Sequence, residues 1–369
     1  MATEQDASGS GGAPAGGEAT ATSRVLSPLR NREDELWLDR YARLFGFGWL
    51  RDRLGLSMPP SLLFAALVTV GWASTATALD LFVFGVTPIY VVNPYFLLQP
   101  AILVVAAYGA HSLQSSYRDA VAEMHLEERT DNPERFRNII PDWLPWGLFG
   151  LTAAIQLVRT VLDHSLMSTT GLFANAVVNP LLYAPILVQF LVVYVAIEFV
   201  VPWRLYTSDV GVHFLDPHGV GGLRPIGELV KKAYYYVVLG LVVYGLITYG
   251  PGLEDWGVSA ASGTIFTATW LATIATVAFA VFVLHRFLHR EKRRELENLE
   301  TQLRAHVENP WEVSEYSIHD EDRETVDDIR DRIDRVSATR EYPATFSIWT
   351  QLLLSVAIPK ALQLFLAST

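Results

Sequence analysis

Seven long stretches of the chain run almost free of charge: 61–84, 95–113, 143–165, 178–202, 232–251, 263–285 and 346–367. A helix needs about 20 mostly apolar residues to cross a hydrocarbon core about 30 Å thick, and within lipid only helices and closed barrels satisfy their own backbone. The expected fold is therefore all-α: a polytopic membrane protein with seven transmembrane helices. Composition agrees, because 51% of the residues are hydrophobic and mean hydropathy is +0.25, whereas a soluble chain of 369 residues needs a polar surface.

Basic residues set the expected threading, since short loops rich in Lys and Arg stay cytoplasmic. The connections 85–94, 166–177 and 252–262 contain none, while the N-terminal region and the other three connections hold all but Arg159, Lys360 and Lys232, the last at the very start of its run. The N-terminus is thus expected inside and the C-terminus outside, at the cell membrane. Net charge is −11, and the only lysines are Lys231, Lys232, Lys292 and Lys360. That balance resembles what a salt-loaded cytoplasm selects, as in halophilic archaea. An acidic chain without a basic stripe argues against nucleic acid as partner. The absence of cysteine excludes disulfides, Cys-ligated zinc, iron–sulfur clusters and thiol catalysis. No cofactor or resident metal is expected.

The organisation follows. Residues 1–30 are an acidic Gly/Ala/Ser/Thr-rich tail, expected to be disordered and lacking the features of a signal peptide. Residues 31–58 are expected to form an amphipathic helix on the cytoplasmic leaflet, with Trp37, Tyr41, Leu44 and Phe45 on one face and Gly46 and Gly48 at its end. Residues 59–285 carry spans 1–6, 286–345 a cytoplasmic antiparallel helical hairpin, and 346–369 the seventh span. In the hairpin, Leu296, Leu299, Leu303 and Val307 on one arm match Val326, Ile329, Ile333 and Val336 on the other, with Pro310 and Trp311 between. This seam can join the arms to each other, join subunits of a homo-oligomer or dock a soluble partner. Membrane lipid is the other expected partner.

Ionisable groups inside spans are expensive and raise a functional hypothesis. Asp80, Arg159, Asp163 and Lys360 fall at one depth in the outer half, as a buried ion-pair network or a constriction on a solute path. Glu198, near the inner end of the fourth span, is expected to snorkel towards Arg204, Lys231 or Lys232. Prolines at 100, 180, 185 and 359 can mark broken helices around a binding site.

The stretch "HFLDPHGVGGLRPIG", His213–Gly227, lies at the cytoplasmic rim with His111, His285 and His289 nearby by topology. His213, Asp216, His218, His285 and His289 are the candidates for a membrane-embedded enzyme acting on lipid. The string "HRFLH" resembles one histidine box of membrane desaturases, although the further H-x-x-H-H boxes are absent. Arg224, Lys231 and Lys232, behind Gly219, Gly221 and Gly222, could contact a lipid phosphate or other anion. The plainer expectation is a tight turn begun by Asp216-Pro217. Lys360 in the last span resembles the retinal-binding lysine of rhodopsins, which implies Asp163 as counter-ion. The leading expectation is a non-enzymatic pore, transporter or membrane sensor for a small solute, with the hairpin used for assembly or coupling.

Overall fold

The computed structural model describes residues 35–88, 91, 97–162, 174–249, 260–308, 317–318 and 322–342. These are helical apart from turns and one two-residue antiparallel pairing. Helix α1 (Trp37–Leu44) ends where Gly46 adopts φ +82°, and α2 (Phe47–Leu54) is closed by Gly55 at φ +64°. Pro60, whose missing N–H would have no partner in a first turn, opens α3 (Pro60–Ala78), which widens into a π turn at Leu79–Val83. Then come α4 (Leu98–Glu123), two single turns, and α5 (Trp143–Leu162). The next rod joins a π segment (Ala174–Tyr183), α6 (Ala184–Val195), a second π turn (Ala196–Val200) and α7 (Val201–Tyr206). Helix α8 (Arg224–Tyr249), the 47-residue α9 (Ala260–His306) and α10 (Arg323–Ala338) complete the described chain.

Four helical stretches are long and apolar enough to cross a membrane: Pro60–Val83, Ala176–Tyr206, Arg224–Ile247 and Thr267–His306. They suggest a membrane location. Two of the remaining expected spans fall short for visible reasons. Helix α4 has the length, but its second half carries His111, Gln114, Arg118 and Asp119; the apolar part of α5, Trp143–Val158, is short. The seventh, 346–367, lies outside the described residues, as does the tail 1–30. The helices turn large apolar side chains outward, among them Leu151, Ile155 and Val161 of α5, Leu191 of α6, Leu239 of α8 and Phe282 of α9. Exposed apolar side chains in such number are what lipid, not water, accommodates.

Helix α4 sits at the centre, packed against α3, α6 and α8. Gly109 permits this: a Cβ there would lie 3.0 Å from the Tyr236 ring and 3.2 Å from that of Phe190. One core gathers Leu113, Tyr117, Ile197, Leu205, Leu223 and Phe287 around α4, the α6–α7 rod, α8 and α9. A second gathers Trp37, Leu38, Tyr41, Phe64, Ala107 and Ile186.

The second core corrects the expectation for the N-terminal helix. Trp37 and Tyr41 do not face lipid: they are buried, and Trp37 makes an edge-on contact with Trp146 at 5.1 Å. Tyr41 donates its hydroxyl to Leu181 O at 2.8 Å, and Leu38 N–H donates to Gln189 Oε1 at 3.1 Å. An aromatic stripe satisfies a protein groove as well as it satisfies lipid, and α5 offers Trp146 and Phe149. Leu44 and Phe45, from the same expected face, remain exposed, and Gly48 lies inside α2 rather than at a helix end.

Helix α10 packs along α9. Contacts run in opposite senses along the two: His306 Nδ1 to Asp322 Oδ1 at 3.1 Å, Lys292 Nζ to the carbonyls of Ser337 and Thr339 at 2.8 and 2.9 Å, and His289 Nδ1 to Glu341 Oε2 at 3.0 Å. Leu299, Val326, Ile329 and Val336 are buried, so the apolar seam joins these two helices. Between them Val307–Glu308 (β1) pairs antiparallel with Ser317–Ile318 (β2), Val307 opposite Ile318.

Candidate functional site

Glu198 stands in the π turn between α6 and α7. Pro202, at the start of α7, has no N–H for the carbonyl one turn back, and the helix widens just before it: Val201 N–H donates to Ala196 O, five residues back. The π turn packs against α6, α7, α8 and α9 together. Glu198 is 0% exposed, and neither carboxyl oxygen has a hydrogen-bond partner among the described residues. Ile197 and Val201 are buried beside it, Phe199 stacks on Phe279 of α9 at 4.7 Å, and the Tyr194 hydroxyl lies 2.6 Å from Thr276 Oγ1.

This overturns the expectation that Glu198 snorkels to a cation. Arg204 donates to the carbonyls of Arg135 and Asn138, Lys232 donates to Ser116 Oγ at 2.7 Å, and Lys231 lies over the Tyr235 ring. Those bases reached polar groups of the inner connections and of α4, while the wider π turn directed Glu198 inward. Of the other intramembrane charges, Asp80 is half-buried in the first π turn. The backbone alone of Arg159 is described, and Asp163 and Lys360 lie outside the described residues.

The rim residues form a closed turn. Asp216 Oδ1 accepts from His218 N–H at 2.9 Å, and Oδ2 from Val220 and Gly222 N–H at 3.2 and 2.8 Å. Burial pushes the Asp216 carboxyl up, but these backbone donors outweigh it and hold it below the usual carboxylate range. Of the glycine N–H groups that could have cradled a phosphate, that of Gly222 is taken by the Asp216 carboxylate and that of Gly219 by the Asp216 carbonyl. Gly221 adopts φ +65°, and a Cβ there would lie 2.5 Å from Val212 Cγ1. Arg129 fastens the loop by donating Nε and Nη2 to Gly211 O at 2.8 and 2.5 Å, and Arg340 N–H reaches Gly219 O at 2.7 Å.

The five rim candidates divide into two groups. His213 donates its backbone N–H to Gly221 O, and the His218 ring lies 2.8 Å from Arg224 Nη1, which belongs to the guanidinium that also bonds Glu228. His285 pairs its Nδ1 with Glu341 O and stacks on Tyr342, and His289 pairs with the Glu341 carboxylate. Among the described residues no three His, Asp or Glu side chains are placed to hold a metal ion.

One constellation had no sequence motif. Asp39 of α1, 4% exposed, accepts from Ser61 N–H at 3.1 Å, and His111 Nε2 lies 3.3 Å from Asp39 Oδ2 and 2.6 Å from Ser61 Oγ. Hydrolytic relays place the acid and the serine on opposite ring nitrogens. Here one nitrogen faces both, and Ser61 is fully buried. The arrangement is a cap: Asp39 supplies the acceptor that Pro59 cannot give to the N-terminus of α3. The available signal was that a helix beginning Pro59-Pro60 carries no capping side chain of its own.

No protein-family model, no curated protein and no solved structure matches the chain.

Proposed function

We propose that the chain is a seven-span membrane protein that passes or senses a small solute, as a pore, transporter or sensor, rather than an enzyme. Its N-terminus lies in the cytoplasm and its C-terminus outside. The α9–α10 pair is a cytoplasmic hairpin for assembly or coupling, and α2, with exposed Trp49 and Leu54 beside Arg51 and Arg53, rests at the headgroup level. The observation that carries this reading is Glu198: an acid without a partner inside a packed membrane bundle is costly and is retained for work at that place. The candidate cluster of Asp80, Arg159, Asp163 and Lys360 would line the same path further out. Rim catalysis draws no support, because three of its four histidine rings, those of His218, His285 and His289, are engaged with Arg224, Tyr342 and Glu341.

The test is flux of small ions and protons in vesicles containing the purified protein, with Glu198→Gln beside the native chain. Flux well above that of protein-free vesicles, lost in the variant, is expected. Equal flux in the native protein and protein-free vesicles would overturn conduction. Threading is checked by single cysteines, placed one at a time in this cysteine-free chain and probed with an impermeant reagent.

A further inference from the structure

We infer that Glu198 is a proton-binding site inside the bundle, which holds a proton in the packed form described here and releases it when the surrounding helices part. The inference rests on the proposed solute-handling role for the reason such a site would exist, but its geometry stands by itself.

Two other buried or partly buried acids show what a structural carboxylate looks like in this chain. Asp39 accepts from Ser61 N–H and faces His111; Asp216 accepts three backbone N–H groups. Each is saturated by donors. Glu198 has none among the described residues, and a charged carboxylate in an apolar surrounding without donors costs several kcal/mol, so the neutral acid is the form that fits.

The ligand is a proton rather than a metal ion. A divalent cation takes roughly six to eight oxygen ligands, or a near-octahedral set. Glu198 offers one carboxyl group, and among the described residues no group of three acids or histidines is placed to hold a metal ion.

No described charge faces it from the packed elements. Arg204 of α7 is turned to Asn138 O, Lys231 and Lys232 of α8 to Tyr235 and α4, and His285 of α9 to Glu341 O. The titratable groups on its side are Tyr194, one turn back on α6, and Tyr234 of α8. Thr276 commits its own hydrogen to Thr273 O at 2.7 Å, so Tyr194 donates to Thr276 and keeps its oxygen free to accept. A neutral Glu198 that swings towards Tyr194 therefore meets an acceptor. The π turn supplies the means of movement, since its five-residue hydrogen bonding can revert to the ordinary four-residue pattern and rotate the face that carries Glu198.

The experiment is labelling of the full-length protein in lipid vesicles with dicyclohexylcarbodiimide, an apolar reagent that adds to a neutral carboxylic acid. Modification is mapped by mass spectrometry from mildly acidic to strongly alkaline pH. The expected result is an adduct on Glu198 that is lost as pH rises, absent in Glu198→Gln and kept in Glu198→Asp. No adduct on Glu198 at acidic pH, or labelling equal at all pH values, overturns the proton site. A native-protein infrared band of a neutral acid that disappears on alkalinisation is the second expected readout; its absence, or its persistence at every pH, also overturns it. Labelling without any flux would remove the conducting role and leave the proton site. Flux that survives in Glu198→Gln, with no labelling, would do the reverse.

Discussion

Replacing Glu198 by leucine should make the protein more stable, which few substitutions of a fully buried residue do. The carboxyl is desolvated, and neither oxygen has a hydrogen-bond partner among the described residues. An unsatisfied buried polar group costs about 1–3 kcal/mol. Leucine is close in volume, and the adjoining Ile197 and Val201 are themselves buried. We expect Glu198→Leu to gain about 1–3 kcal/mol, or a rise in Tm of roughly 2–6 °C at about 2 °C per kcal/mol. Glu198→Gln keeps an unsatisfied polar group, with two N–H donors added, and should be no more stable than the native chain. The assay is thermal unfolding of the three proteins in one detergent, followed by tryptophan fluorescence. A fall in Tm of several degrees for the leucine variant, or a glutamine variant more stable than the leucine one, would refute the reasoning, because either outcome means that the carboxyl has a partner. The leucine variant should at the same time lose the pH-dependent labelling, so that stability is gained where function is lost.

Asp39→Asn should destabilise by about 1–2 kcal/mol at neutral pH, through loss of the charge beside His111 and the α3 N-terminus. Although burial pushes the Asp39 carboxyl up, His111 and Ser61 outweigh it and hold it below its ordinary value of 3.8. Its contribution is therefore fully present above 3.8 and lost as pH falls through the depressed folded value; unfolding of the two proteins should converge there, and a constant difference across pH would contradict the cap. Gly221→Ala should cost about 2 kcal/mol or more, because a left-handed backbone is combined with a clash against Val212, whereas Gly219→Ala, at φ +67° with open space around it, should cost only about 1 kcal/mol; equal Tm changes would refute the distinction. Lys292→Met removes the bonds to Ser337 and Thr339 carbonyls and should cost about 1 kcal/mol, with faster proteolytic cleavage near the end of α10. Unchanged cleavage would show that the seam alone holds the pair.

The apolar runs were legible because crossing lipid demands length and hydropathy together, and four of them form helices of the necessary kind. The Asp216-Pro217 turn was legible for a local reason: its donors lie within six residues of its acceptor. What sequence did not show depends on distant partners. The Trp37 and Tyr41 stripe has the same pattern whether it meets lipid or protein, and only Trp146 and Phe149, more than a hundred positions away, decide. Asp39 and His111 likewise meet across the fold. Glu198 was misplaced because cations close in sequence were assumed to be its partners, although they reach carbonyls, a hydroxyl and a ring instead. Pro202 was the available clue to the π turn, and thus to which way the acid points.

Helix α9 runs from Ala260 to His306 without a break, about 70 Å at 1.5 Å per residue. A rod of that kind is a lever. Its arm beyond the apolar part is about 30 Å long, so a tilt of about 10° within the bilayer carries the far tip through about 5 Å. Because α10 is fastened along that arm at His306, Lys292 and His289, a tilt of α9 would carry the pair together, and on the proposed threading a rearrangement around Glu198, against which the same helix packs, would displace the far tip away from the membrane.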